Sequence, residues 1–120
     1  MLAVAFLRSA YKTNKKMEKV IRDGKVAVLI SHGFGAGWYS WSNNNEALLF
    51  HPKLVEMVEQ GKADQIDEDW VNENLGIEDV YCGGASDLQI HWLPIGTAFQ
   101  VEEYDGAESL RTIDDLCIVA

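Results

Sequence analysis

Residues 26–30 form an uninterrupted apolar run, VAVLI, in which three of the five residues are β-branched. Such a run is typical of a strand that is covered on both faces, so the fold needs a layer of structure on each side of it. Asp23 and Gly24, which precede the run, are a common two-residue hairpin turn and predict a short strand upstream. A chain of 120 residues forms one such domain and is too short for a (β/α)₈ barrel.

Two short helices are predicted from their end signals. The first begins at Pro52, because the first helical turn does not need the N–H that proline lacks, and Gly61 is placed to end it. Its apolar face consists of Leu54, Val55, Met57 and Val58. The second begins after Asp67, whose carboxylate can accept a backbone N–H as the N-cap, and it ends at Gly76. We interpret the acids that follow Asp67 as favourable charges at a helix N-terminus rather than as catalytic groups.

The last third of the chain shows the alternation that is typical of strands. The first two predicted strands contain residues 88–93 and 99–102, and a third lies around Leu110 and Thr112. They are separated by turn signals at residues 94–96 and 104–107. We expect them to form a three-stranded antiparallel meander, with residues 116–119 as a possible fourth strand. The expected fold is therefore a small α+β domain, in which a buried strand and an antiparallel β-meander pack with two short helices.

Residues 1–16 are expected to lie outside the fold, as an N-terminal extension or arm, and residues 17–120 to form the single domain. The apolar residues 1–7 come before the basic stretch 8–16, which is the reverse of the order in a signal peptide. Seven apolar residues are also far fewer than the roughly 18 that a membrane helix needs, so no membrane association is expected. An amphipathic arm and a targeting remnant are the alternatives to an extension upstream of Met17.

The charge of the chain is distributed unevenly. Residues 1–25 hold seven basic and two acidic residues, whereas residues 26–120 hold three basic and seventeen acidic residues. The body of the protein thus carries a formal charge of −14, which disfavours direct binding to the phosphate backbone of nucleic acids. A body of this charge can instead bind a basic protein surface, or its charge can serve solubility alone.

The two cysteines, Cys82 and Cys117, are far apart and match no paired spacing. Together with the absence of a secretory signal, this spacing indicates a reducing, cytoplasmic compartment. Cys117 lies in an apolar run, where cysteine usually packs as a small hydrophobic residue.

The segment 33–45 is the best candidate for a binding site. Its alternating glycines let backbone N–H groups approach an anion, and its aromatic rings can stack on a base or another ring. The motif matches neither the dinucleotide-binding nor the Walker pattern, so a glycine-rich bend that covers the core is the alternative. The candidate ligand- or partner-binding residues are Gly33, Phe34, Gly35, Gly37, Trp38, Tyr39, Trp41 and Asn43.

No catalytic residue, cofactor or metal ligand is assigned from the sequence. Cys82 could form a nucleophile–base pair with His32, His51 or His91, but any short chain with three histidines offers such a pairing. The same four residues lack the spacing of zinc ligands. Enzymatic activity is therefore the least favoured class of function.

Two stretches resemble short uncharacterised proteins that are encoded by tailed bacteriophages and prophages. They are KVAVLISHGFGAGWYSW at residues 25–41, followed by Glu46, Leu49, Phe50 and Pro52, and WLPIGTAFQVEEYDGAE at residues 92–108. The resemblance spans residues 17–108, which agrees with a domain that begins near Met17. It implies an accessory role in the cytoplasm of an infected host, and it carries no catalytic residues.

These observations leave three hypotheses for the function. The first is a small acidic accessory protein that binds the surface of a host protein. The second is a binding protein for a small, nucleotide-like ligand that uses the loop 33–45. The third is a small hydrolase-like enzyme.

Deletion of residues 1–16 should leave the domain folded, because this segment offers neither a paired strand nor a capped helix. Thermal unfolding of the full chain and of the truncated chain measures the effect. Melting temperatures within a few degrees of each other are expected, and a large loss on truncation would show that the segment belongs to the fold.

Overall fold

A computed structural model describes residues 18–35, 37–113 and 120 of the chain. The predictions for the extension 1–16, for a domain start at Met17, for a strand at residues 116–119 and for Cys117 lie outside these described residues. Within them, antiparallel sheets and helices pack into one small domain, which confirms the predicted α+β class.

The apolar run lies in the central strand of a three-stranded antiparallel sheet. Strand β1 (Ile21–Arg22) turns through Asp23 and Gly24, which both have positive φ, into β2 (Lys25–Ser31). The expected hairpin is thereby confirmed. Strand β3 (Leu88–Pro94) pairs with β2 along its whole length, from Lys25 opposite Pro94 to Ser31 opposite Leu88.

The side chains of β2 alternate between two hydrophobic clusters. Ala27 and Leu29 belong to the first cluster, which contains most of the helical core residues. Val28 and Ile30 belong to the second, together with Leu49 and Phe50. These four side chains are at most 1% exposed, so the prediction of a strand that is covered on both faces is confirmed.

Three α-helices occur among the described residues, namely α1 (Ala47–Phe50), α2 (Pro52–Glu59) and α3 (Glu68–Leu75). Helices α2 and α3 are the two that the sequence predicts, and α1 is an additional short helix. The carboxylate of Asp67 accepts the backbone N–H of Trp70 at 2.8 Å, and Gly76 ends α3 in the left-handed conformation. Single turns of 3₁₀ helix occur at Ala63–Gln65 and Ala85–Asp87.

The predicted three-stranded meander is wrong in its pairing. Strands β4 (Phe99–Tyr104) and β5 (Ala107–Thr112) form a separate two-stranded sheet, and β3 pairs with β2 instead of β4. Because β2 is buried on both faces, its backbone groups need hydrogen-bonding partners within the fold. Strand β3 provides them along one edge of β2, and the hairpin of β4 and β5 covers the second cluster. Phe99, Val101 and Leu110 of the hairpin pack against that cluster.

No helix in the described part of the chain is long and apolar enough to span a membrane.

Candidate functional site

A buried carboxylate organises the segment that the sequence singles out. Glu108 on β5 is 1% exposed, and its oxygens face the chain between the end of β2 and α1. They accept backbone N–H bonds from Ser31 at 3.2 Å, Trp38 at 3.2 Å and Ser40 at 2.8 Å. The hydroxyl of Ser40 donates a fourth bond at 2.6 Å. These four hydrogen bonds offset the cost of taking the carboxylate out of water.

One of the two interpretations of this loop is that its glycine N–H groups bind an anionic ligand, which stays a prediction. In the structure, a carboxylate of the chain itself accepts backbone N–H groups there. The donors to Glu108 are Ser31, Trp38 and Ser40 rather than the three glycines. Glu108 is the central residue that the sequence reasoning missed. The available signal was its position two residues before Leu110, because alternate residues of a strand share a face and Leu110 packs on the core.

Trp38 is a core residue and not a platform for a ligand. Its side chain has no exposed surface, and its indole Nε1–H donates to the carbonyl oxygen of Leu48 at 2.9 Å. The neighbouring Gly37 is required because the indole of Trp41 lies against it. A Cβ at position 37 would stand 2.4 Å from Cγ of Trp41.

Four of the other predicted site residues lie near the surface. Phe34 is 74% exposed and Trp41 is 40% exposed, with the Trp41 ring centroid 5.1 Å from that of Tyr81. Asn43 is exposed and has positive φ. Gly35 also has positive φ and donates its N–H to the carbonyl oxygen of Asp105 in the β4–β5 turn. Under the small-ligand hypothesis, the rings of Phe34 and Trp41 are therefore accessible to a ligand, whereas that of Trp38 is not.

The two remaining predicted residues contact other parts of the fold. Gly33 lies against Asp87, whose carboxylate occupies the space that a side chain at position 33 would need. Tyr39 is half-buried and packs on both hydrophobic clusters. Burial, followed by the nearby charges of Glu46 and Glu108, raises the pKa of the Tyr39 phenol.

A groove lies beside this loop. Its volume is about 570 Å³, which falls within the range of small-molecule and side-chain pockets. Tyr39 and Asn44 of the loop, Glu46 and α1 form one wall, and residues 97–101 form the other. The groove thus places the first half of β4 opposite the loop.

Two histidines meet at the other end of the loop. The Nε2 atoms of His32 and His91 are 2.8 Å apart, so one imidazole donates to the other. Burial, and then the proximity of His32, lowers the pKa of His91 and favours its neutral form. His32 also borders a second groove of about 370 Å³, together with Gly33 and Asp87.

The side chains considered for nucleophilic catalysis do not form an activated pair. The Cys82 thiol lies 3.7 Å from the carbonyl oxygen of Val80. Burial and the charges of Glu68 and Asp67 raise its pKa to about 11, which keeps it protonated at neutral pH. His51 instead accepts the N–H of Lys53 through Nδ1, at the N-terminus of α2.

Within residues 18–35 and 37–113, no group of three or more histidine, cysteine, aspartate or glutamate side chains converges as metal ligands would. Comparison of the chain with protein-family models finds no match. Searches of curated proteins and of solved structures find no significant match either.

Glu108→Gln should destabilise the domain by about 2–4 kcal/mol, because an amide NH₂ would face backbone donors that need an acceptor. Chemical denaturation measures the loss. Glu102→Gln is the matched control on the same hairpin. Its exposed ion pair with Arg111 is worth about 1 kcal/mol or less. Equal free energies of unfolding for the two variants would contradict the assigned role of Glu108.

The stability of the domain should depend on the protonation of His91. The pKa of His91 in the folded state is lowered from the ordinary value of about 6.5. Its contribution to the free energy of unfolding is therefore fully present above pH 6.5. The contribution is lost as the pH falls through the lowered pKa. Urea unfolding at several pH values between 7.5 and 5 should show a smaller loss for His91→Gln than for the wild type. The lowered pKa of His51 is present in both proteins, and equal pH profiles would contradict the prediction.

Proposed function

We propose that this chain is a small accessory protein of bacteriophage type that acts by binding a basic surface of a host protein. The observation that carries the proposal is a run of exposed carboxylates at residues 64–79, here called the acidic face. This segment contains seven acidic residues and no lysine or arginine, and all seven are exposed. They are Asp64, Asp67, Glu68, Asp69, Glu73, Glu78 and Asp79.

The acidic face is centred on a helix that is anchored in the hydrophobic core. Helix α3 lies at its centre, and Val71 anchors the helix in the first hydrophobic cluster. Asp67 is used as the N-cap, and Lys53 donates to the carbonyl oxygen of Asn74 at the far end of the helix. Within the described residues, no ion pair neutralises these carboxylates. Their field is therefore available to a partner.

The sign of the charge determines the class of partner. Nucleic acids and anionic membranes are repelled by a body of charge −14, whereas a basic protein surface is attracted. Such a surface includes the nucleic-acid groove of a host protein. The resemblance to phage-encoded proteins supports a site of action in the host cytoplasm. The high pKa of Cys82 supports binding rather than thiol catalysis.

Neutralising three carboxylates of the acidic face should weaken partner capture from a bacterial lysate several-fold at low salt. The variant is Asp69→Asn, Glu73→Gln and Glu78→Gln, which leaves the Asp67 cap intact. Rising salt should release the wild-type partner in the same way, because exposed charges are screened over about 10 Å at 0.1 M.

A matched control removes three exposed charges elsewhere, as Glu18→Gln, Asp23→Asn and Glu56→Gln. This control should retain the partner, and mass spectrometry should identify a protein with a basic surface. Capture that is indifferent to salt, or equal loss in both variants, would refute the proposal.

A further inference from the structure

Among the residues that the structure describes, one edge of the β4–β5 hairpin has no backbone hydrogen-bonding partner. Tyr104 and Ala107 flank the two-residue turn and pair directly, so the even-numbered residues of β4 bond to β5. The backbone groups of Phe99, Val101 and Glu103 therefore point away from β5. Within the described residues, no hydrogen bond between backbone groups of different elements reaches these three positions. They form an open strand edge.

The open edge lies along the 570 Å³ groove. Gln100 from one face of β4 borders the groove, as does Ala98 just before the strand, and so do Phe99 and Val101 from the other face. Because both faces contribute, the groove follows the edge of the strand rather than one of its surfaces. A strand that paired with this edge could place a side chain against α1 on the opposite wall.

The chemistry of the edge changes along its length. Phe99 and Val101 are half-buried and pack on the second hydrophobic cluster, whereas Glu102 and Glu103 are exposed. Glu102 forms an exposed ion pair with Arg111, and Glu103 accepts the backbone N–H of Gly106 through one oxygen. Glu46 adds a carboxylate at the opposite wall of the groove. In the same groove, the ammonium of Lys19 lies 4.5 Å from the centroid of the Phe50 ring. The groove thus already holds one cationic side chain over an aromatic ring.

We propose that the open edge of β4 binds an extended segment of a partner protein by strand addition. The segment is apolar where it lies beside Phe99 and Val101, and basic where it lies beside Glu102 and Glu103. Backbone hydrogen bonds provide the affinity, and cross-strand pairs with these side chains provide the selectivity. This site packs on the second cluster and the acidic face on the first, so this proposal does not depend on the proposed function.

Amide hydrogen exchange, followed by NMR, tests the strand addition residue by residue. The probe is a ten-residue peptide of alternating threonine and lysine in its first half and alternating threonine and valine in its second, the order that antiparallel pairing with β4 requires. In the free protein, the amides of Gln100 and Glu102 should exchange slowly and those of Phe99, Val101 and Glu103 quickly. Saturating probe should slow exchange at these three residues by about tenfold or more.

Val101→Pro removes one N–H from the open edge and none from the ladder with β5, since proline is tolerated on edge strands. It should weaken probe binding at least several-fold. A probe with alternate peptide nitrogens methylated makes the same test on the wild-type protein, in case the variant is unstable. The acidic-face variant defined above should bind the probe with the same protection at the edge.

Several results would overturn the proposal. One is binding of the probe without protection of Phe99, Val101 and Glu103. Another is equal binding of a probe in which glutamate replaces lysine. Binding that appears only after deletion of residues 1–16 would identify the chain's own apolar and basic N-terminal segment as the occupant, in place of a partner. Absence of probe binding to both the full and the truncated chain would also reject strand addition.

Discussion

The fold depends on the set of hydrogen bonds that Glu108 accepts. One carboxylate holds the end of β2, the backbone on both sides of Tyr39 and the β4–β5 hairpin in a single arrangement. Without it, the hairpin would be held to the sheet chiefly by apolar contacts, which are not directional. The directional hydrogen bonds to this carboxylate define how the hairpin lies over the second cluster. The wall of the large groove formed by β4 is thereby placed opposite α1.

The elements with local signals were predictable from the sequence. Strand β2 follows from its apolar run, and helices α2 and α3 follow from their caps, because each signal lies within a few residues of the structure it specifies. The pairing of β3 was not predictable in this way. Leu88, Ile90 and Trp92 would alternate identically whether β3 paired with β2 or with β4. The choice depends on how the whole core is covered, which no local pattern encodes.

The sequence singles out the segment 33–45 as a binding site, which stays a prediction, but it does not indicate the chemistry of the bend. The bend at residues 33–45 was recognised from its glycines and aromatic residues. Its anion comes from a glutamate 77 positions beyond Ser31, which no spacing rule connects to it. Trp38 and Trp41 look equivalent in the sequence, yet one is buried in the core and the other is 40% exposed. The indole of Trp41 lies against Gly37, whereas that of Trp38 is in the core. The sequence alone does not show this contact between Gly37 and Trp41.

Strand β2 lies between the two hydrophobic clusters and contributes side chains to both. Successive side chains enter opposite clusters, so a backbone shift that relaxes packing around Val28 must also move Leu29 on the other side. If either cluster unfolds, one face of β2 becomes exposed, and the other cluster packs on the same strand. The two layers that the structure describes share this strand, so they should gain and lose structure as one cooperative unit.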